Sequence, residues 1–137
     1  MRQINKIIIH CSDTPEGRDD RAKDIDSWHR AQGYSEIGYH YVITLSGEIE
    51  IGRPEQAIGA HCKGHNAKSI GICYIGGASK EDRSPKDTRT PEQKRALLEL
   101  LKVLKQKYPQ ATVFGHHDFN SAKSCPCFDA KQEYKHI

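Results

Sequence analysis

The sequence predicts an α/β protein, with one mixed central β-sheet flanked by helices in a single domain over residues 1–137. Three observations predict it. Lys6-Ile7-Ile8-Ile9 and Ile70-Gly71-Ile72-Cys73-Tyr74-Ile75 are short, nearly continuous apolar runs, the pattern of strands buried on both faces. Tyr39-His40-Tyr41-Val42-Ile43 alternates and is followed by a Ser46-Gly47 turn and Glu48-Ile49-Glu50-Ile51, which reads as a hairpin. Residues Pro91 to Tyr108 carry an apolar stripe at helical spacing. Strands interleaved with helices stack as layers around one core.

Taken in order, residues 6–10 form the first strand, and a polar loop from Ser12 to Lys23 follows, broken by Pro15 and Gly17. Asp24 to Gln32 reads as a helix, with Ile25 and Trp28 on one face and Gly33 ending it. Trp28 is expected in the helix core rather than in a sugar-binding groove. Residues 59–69 form a loop rich in Gly, His and Asn. The long helix has the clearest signals: Thr90 and Gln93 at capping-box spacing, Pro91 at the first helical position, and Pro109 as the stop. Leu97, Leu101, Leu104 and Tyr108 form its stripe, joined by Leu98 and Leu100. Lys102, Lys105 and Lys107 suit the negative end of its dipole. Thr112-Val113-Phe114 is the last strand, and a short helix is expected after Phe128.

Composition narrows the function classes. At 137 residues the chain can bury one core but not two. Its net charge of +3 is spread among interleaved acids and bases, so nucleic acid is not an expected partner. A mild positive balance would help approach to an acidic polymer. No run approaches the length of a membrane span. The opening Met1-Arg2-Gln3-Ile4-Asn5 leads directly into a strand, so the expectation is synthesis in the cytoplasm without a signal peptide. Five cysteines, at 11, 62, 73, 125 and 127, have no disulfide-scaffold spacing, and reduced thiols are expected. Cys11 and Cys73 read as small core residues, while Cys127 is either a spectator thiol or a trap for oxidation of Cys125.

The chemistry concentrates near the end of the chain, in Gly115-His116-His117-Asp118-Phe119 and Lys123-Ser124-Cys125-Pro126. The first strand ends in His10. Two imidazoles and a thiolate are good zinc ligands, and three protein ligands leave a fourth position for water, as a catalytic zinc requires. His10, His116 and Cys125 are the candidate ligands, with Lys123 beside the thiol. Either member of the His116-His117 pair could serve. With Val113 taken as outward-facing, strand alternation favours His116. A competing cluster, His61-Cys62-Lys63-Gly64-His65, offers three ligands in five residues but has no convincing fourth.

Ile9-His10-Cys11-Ser12, Trp28-His29, Gly38-Tyr39-His40-Tyr41, Gly59-Ala60-His61, Asn66, Ser69-Ile70-Gly71-Ile72 and Lys123-Ser124-Cys125-Pro126 occur in an order that carries a family resemblance. From Lys6 to Asp129 the chain resembles the zinc-dependent N-acetylmuramoyl-L-alanine amidases of the phage-lysozyme type, relatives of the peptidoglycan recognition proteins. The resemblance implies a peptidoglycan recognition protein-like fold and one Zn(2+) held by His10, His116 and Cys125, the first histidine of the pair being the ligand. It implies catalytic roles for Tyr39 and Lys123, and a peptidoglycan groove with His61 and Asn66 facing the substrate. The implied reaction is hydrolysis of the amide between N-acetylmuramic acid and L-alanine. The implied setting is a monomeric phage or prophage endolysin that reaches the cell wall after release, with a bacterial wall-recycling amidase as the neighbouring possibility. The alternatives are a non-catalytic peptidoglycan-binding receptor on the same fold, in which the cysteine ligand is typically lost, and a structural zinc domain, in which the site would be closed by protein ligands.

Overall fold

The computed structural model describes residues 2–137. In chain order the elements are β1 (Lys6–Cys11), β2 (Thr14–Pro15), α1 (Ala22–Ala31), β3 (Tyr41–Ile43), β4 (Ile49–Ile51), β5 (Ser69–Tyr74), β6 (Gly77–Ala78), α2 (Pro91–Lys107), β7 (Thr112–Gly115) and α3 (Ala130–Glu133). Single 3₁₀ turns occupy Asn66–Lys68 and His116–Asp118. Five strands form the main sheet in the order β4-β3-β5-β1-β7, and β2 pairs with β6 beside it. All neighbours in the main sheet are parallel except the β3–β4 hairpin, where Tyr41 faces Ile51 and Ile43 faces Ile49. The sheet is therefore mixed and flanked by helices, as the periodicities predict. Among the described residues no helix is long and apolar enough to cross a membrane.

Both faces of the sheet are covered, which explains why β1 and β5 read as continuous apolar runs. Ile7 and Ile9 of β1 and Ile70 and Ile72 of β5 meet Leu97, Leu100, Leu101 and Leu104 of α2 in the larger core. The opposite face holds a smaller cluster of Ile25, Ile37, Val42, Cys73 and Ile75. His10 pairs in register with Cys73 and so belongs to this thinner face, one residue out of phase with Ile9. Near-complete burial of an imidazole on that face, at 1% exposure, needs polar partners rather than further apolar packing.

Helix α2 starts as its capping signals require. Thr90 Oγ1 accepts from the Gln93 N–H at 3.0 Å, and Gln93 Oε1 accepts from the Thr90 N–H at 2.9 Å. The buried Gln93 amide also donates to the Ile75 carbonyl at 2.9 Å, which fixes the helix start against the end of β5. Three sequence expectations need correction. Trp28 is not in the helix core: it is 36% exposed, with the Arg18 guanidinium 6.0 Å from its ring. Leu98 lies at the outer edge of the stripe, at 37% exposure. Val113 points inward, because its register with Ile7 places it in the larger core.

The segment after β7 is fastened at two points. Tyr74 Oη donates to the Pro126 carbonyl at 2.6 Å. Arg89, whose side chain is 2% exposed, bonds Asp87 at 2.9 Å, Glu133 at 3.0 Å and the Tyr134 hydroxyl at 3.0 Å, and its guanidinium stacks 3.4 Å from the Phe128 ring. The bonds from Arg89 hold the Glu133 carboxyl below the usual range. At Asp87 burial pushes the other way, and the bonds and charge of Arg89 outweigh it. Lowered carboxyl pKa values add stability above the ordinary carboxylate range, and that stability is lost as pH falls through the lowered values. Arg89→Leu should therefore lower stability at neutral pH by roughly 3 kcal/mol, the low end for breaking a buried ion pair, since both carboxylates keep some water. Its stability should also fall less between neutral and acid pH than that of the unmodified protein. Urea titrations at several pH values check both effects.

Candidate active site

Three chain segments meet at the carboxyl ends of β1 and β7. His10 is the fifth residue of β1, and His116 follows β7 directly. Because Ile8 pairs with Phe114, these two residues share the thinner face, and two residues further on His10 and His116 share it as well. Their rings lie 4.6 Å apart between centroids. The same alternation sends His117 the other way. Its Nδ1 lies 3.3 Å from the Ser124 carbonyl and its Nε2 4.0 Å from Asp118. His116 rather than His117 thus lies beside His10, and the inward Val113 reverses the argument from alternation that favoured it.

Cys125 arrives on the loop between β7 and α3. The His117 N–H donates to the Cys125 carbonyl at 2.9 Å, which closes the loop onto the strand end. A side chain on Gly115 would sit 2.7 Å from Pro126 Cδ, so a residue without Cβ lets the loop lie against β7. Asp118 accepts the Gly115 N–H at 2.8 Å and holds the turn that carries His116. The Cys11 N–H donates to Cys125 Sγ at 3.0 Å, a contact that stabilises negative charge on the sulfur.

Among the described residues, His10, His116 and Cys125 are the one group of His, Cys, Asp and Glu side chains arranged to hold a metal ion, with ligand atoms all within 4.8 Å of one another. The donor set of two nitrogens and one sulfur suits zinc. Burial, followed by the neighbouring imidazoles of His61, His116 and His29, holds His10 well below its ordinary pKa. Burial and then the Lys123 charge lower that of His116. Both rings are therefore neutral at neutral pH, the form that binds a metal.

A pocket of about 350 Å³ opens above this group, lined by Cys11, Tyr39, His116, Lys123 and Cys125 among others. Tyr39 stacks beside His10 with ring centroids 5.0 Å apart. Burial, reinforced by the nearby thiols of Cys73, Cys125 and Cys11, raises its hydroxyl pKa well above the ordinary value. The group stays protonated and can donate a hydrogen bond. Lys123 is exposed at the rim, on a turn closed by its own N–H to the Asn120 carbonyl at 3.0 Å. The pocket also includes Asp13 and Cys127, both at positive φ (56° and 70°).

His61 and Asn66, expected to face the substrate, are not among the residues that line this pocket. The His61 ring lies under His10, with Nδ1 2.9 Å from His10 Nε2 and Nε2 3.2 Å from Ser69 Oγ. Burial lowers its pKa to about 3, with the charges His40 and His116 would carry adding to the effect. Asn66 Oδ1 accepts the N–H groups of His61 and Cys62, both at 2.9 Å, so its acceptor is spent holding the loop. The His61-Cys62-His65 segment forms no metal group among the described residues: Cys62 is buried, and His65 stacks on Phe119 at 4.2 Å. The sequence reading missed the pocket residues Ser12, Asp13 and Pro85. Asp13 directly follows the quoted Ile9–Ser12 motif, and that adjacency was the available signal.

Comparison with known proteins agrees with this geometry. The chain is similar to the endolysin of Klebsiella phage KP32, 39% identical over 131 residues that cover 96% of this chain and 85% of that protein. It is similar in structure to the N-acetylmuramoyl-L-alanine amidase LysC from Clostridium intestinale, with a TM-score of 0.79 and 31% identity over 96% of this chain and 82% of that one. It also resembles bumblebee PGRP-SA, with a TM-score of 0.78 and 27% identity over 99% of this chain and 83% of that one. The family model described as N-acetylmuramoyl-L-alanine amidase matches residues 1–128, a span that includes every residue of the metal group and of the pocket above it. By that match the chain belongs to the N-acetylmuramoyl-L-alanine amidase family and is an enzyme of that activity.

Proposed function

We propose that the chain is a zinc-dependent endolysin that cuts the amide between N-acetylmuramic acid and L-alanine in peptidoglycan. In this reading His10, His116 and Cys125 hold the metal, while Tyr39 and Lys123 act on the reacting amide. The observation that carries it is the convergence of two neutral imidazoles and one thiol beneath a pocket that also holds a tyrosine hydroxyl and a lysine. Three ligands leave the metal open toward that pocket, which favours catalysis over a closed structural site. The retained cysteine speaks against a receptor without activity. The phage endolysins among its relatives support a role in wall lysis after release from the cell.

Zinc bound there would supply Lewis acidity toward the amide carbonyl and a water that loses its proton near neutral pH. The remaining work falls to the chain. Tyr39, neutral and fixed beside His10, donates to the oxygen on which negative charge develops. Lys123 brings a positive charge to the same side of the pocket and offsets that charge as it forms. Since the charge appears only in the transition state, both groups act on kcat more than on substrate binding. The backbone N–H of Cys11, bonded to Cys125 Sγ at 3.0 Å, fixes where the sulfur sits.

Purified protein should contain about one zinc per chain, and a chelator should abolish activity that added zinc restores. His10→Ala, His116→Ala and Cys125→Ala should each lose the metal by elemental analysis, whereas His117→Ala should keep it. Digested cell walls should gain L-alanine amino termini and no new reducing ends. Reducing ends without new amino termini would mark a glycosidase instead. Tyr39→Phe and Lys123→Ala should keep zinc and fold, yet each should lower kcat on the order of 10²–10³. A zinc-loaded Lys123→Ala protein with unchanged turnover would remove that lysine from the mechanism.

A further inference from the structure

His61 is buried below the pocket at 9% exposure and is not among the residues that line it, and the amidase chemistry above does not use it. We infer that His61, backed by Ser69, is a positioning residue that fixes the tautomer and ring orientation of His10 before metal arrives. The inference rests on the zinc reading of His10, His116 and Cys125.

Proton bookkeeping carries the argument. His10 Nε2 and His61 Nδ1 face each other at 2.9 Å with the ring planes at 89°, and one hydrogen lies between them. If that hydrogen sat on His61, a neutral His10 would carry its own proton on Nδ1, and neither of its nitrogens would be free to bind metal. With the hydrogen on His10 Nε2, the Nδ1 lone pair is free. His61 then has a bare Nδ1, so its proton is on Nε2, which points at Ser69 Oγ 3.2 Å away. The serine oxygen can accept that hydrogen, so every nitrogen of the two rings has a partner in the arrangement that leaves His10 ready to ligate.

The acceptor is also held still. A Cβ on Gly71 would lie 2.6–2.8 Å from the His61 ring, and one on Gly59 would lie 2.8 Å from it. The ring therefore lies against two backbone positions that only glycine leaves open. Gly71 pairs in register with Ile8, two residues before His10 on the same face, so the ring is seated on the sheet that carries the ligand. The Asn66 bonds to the His61 and Cys62 N–H groups fix the loop that delivers it. Metal-ligating histidines commonly give their second N–H to a carboxylate. Here the acceptor is a neutral imidazole, which orients His10 without adding negative charge beside the metal.

Three variants and one spectrum test this. Long-range ¹H–¹⁵N spectra of the metal-free protein should show His10 as the Nε2–H tautomer. His61→Phe keeps a ring but loses the acceptor, and should weaken zinc binding by roughly 10–100-fold in competition with a chromophoric chelator. His61→Asn, whose Oδ1 stands where Nδ1 was, should recover most of that loss. Ser69→Ala should give a smaller loss in the same direction. Thermal melts establish that each variant is folded. A folded His61→Phe protein with unchanged zinc affinity overturns the inference, and so does a metal-free His10 that carries its proton on Nδ1. If His61→Phe does not fold, the tautomer in the unmodified protein decides. His10→Ala separates the two readings: unchanged zinc affinity there sinks the metal site itself, whereas loss there with no effect at His61 sinks the positioning role alone.

Discussion

A nearly fully buried imidazole at the end of β1 is the constraint on which the rest of the site depends. His10 sits among apolar strands at 1% exposure, where an unpartnered polar nitrogen would cost on the order of 1–3 kcal/mol. One nitrogen finds His61 at 2.9 Å. The same ring belongs to the group with His116 and Cys125. Meeting the first need dictates much nearby sequence: glycine at 59 and 71 to seat the second ring, serine at 69 to bond its other nitrogen, and asparagine at 66 to hold the loop. Residues that look like a polar, flexible stretch are thus committed to one buried hydrogen-bonded chain.

The parallel arrangement of β1 and β7 does the next part of the work. Strands that run the same way in register end side by side, so side chains two residues beyond a matched pair emerge together on one face. His10 and His116 are brought together by this pairing and by the Asp118-held turn that follows it. Cys125 has no such support and depends on its loop being tied down. Tyr74 holds the Pro126 carbonyl, Arg89 stacks on Phe128, and Gly115 lets Pro126 approach. The first two ties come from residues far away in sequence, and all three bear on where the sulfur sits. Ligand sites outside the carboxyl ends of parallel strands are a general feature of α/β sheets, and this pocket follows the rule.

The parts of the fold with strong periodicity were legible in the sequence. The buried runs at β1 and β5, the hairpin and the capped helix α2 each carry enough repeated pattern to name their type. Two-residue strands such as β2 and β6 carry no period and went unread. Trp28 shares a helical face with Ile25, yet it sits at the edge of a short helix where the thin second core gives out. His61 was misplaced for a physical reason. A buried polar relay leaves no apolar signature, and its partner lies 51 residues away, so a loop rich in Gly, His and Asn reads as solvent-facing. The three-ligand group itself was legible because its residue types are scarce and chemically specific.

Tyr39 and Lys123 reach the pocket under opposite conditions, and in the proposed mechanism this bears on how they would divide the chemistry. The tyrosine is half-buried beside His10 and held protonated by its surroundings, so a donor is in place before any substrate binds. Such preorganisation avoids the cost of reorienting a donor as charge develops. The lysine is exposed on a turn, free to sample rotamers, and strongly hydrated. Its charge is fully effective only when a bound substrate displaces water from the pocket and restricts the chain, because the same charge acts more strongly in a drier site. The arrangement therefore pairs a fixed neutral donor with a mobile charge completed by substrate. On the lysine side, Asp13 and Pro85 also contribute to the walls. The metal side, built on two strand ends and a clamped imidazole, has little freedom to adapt.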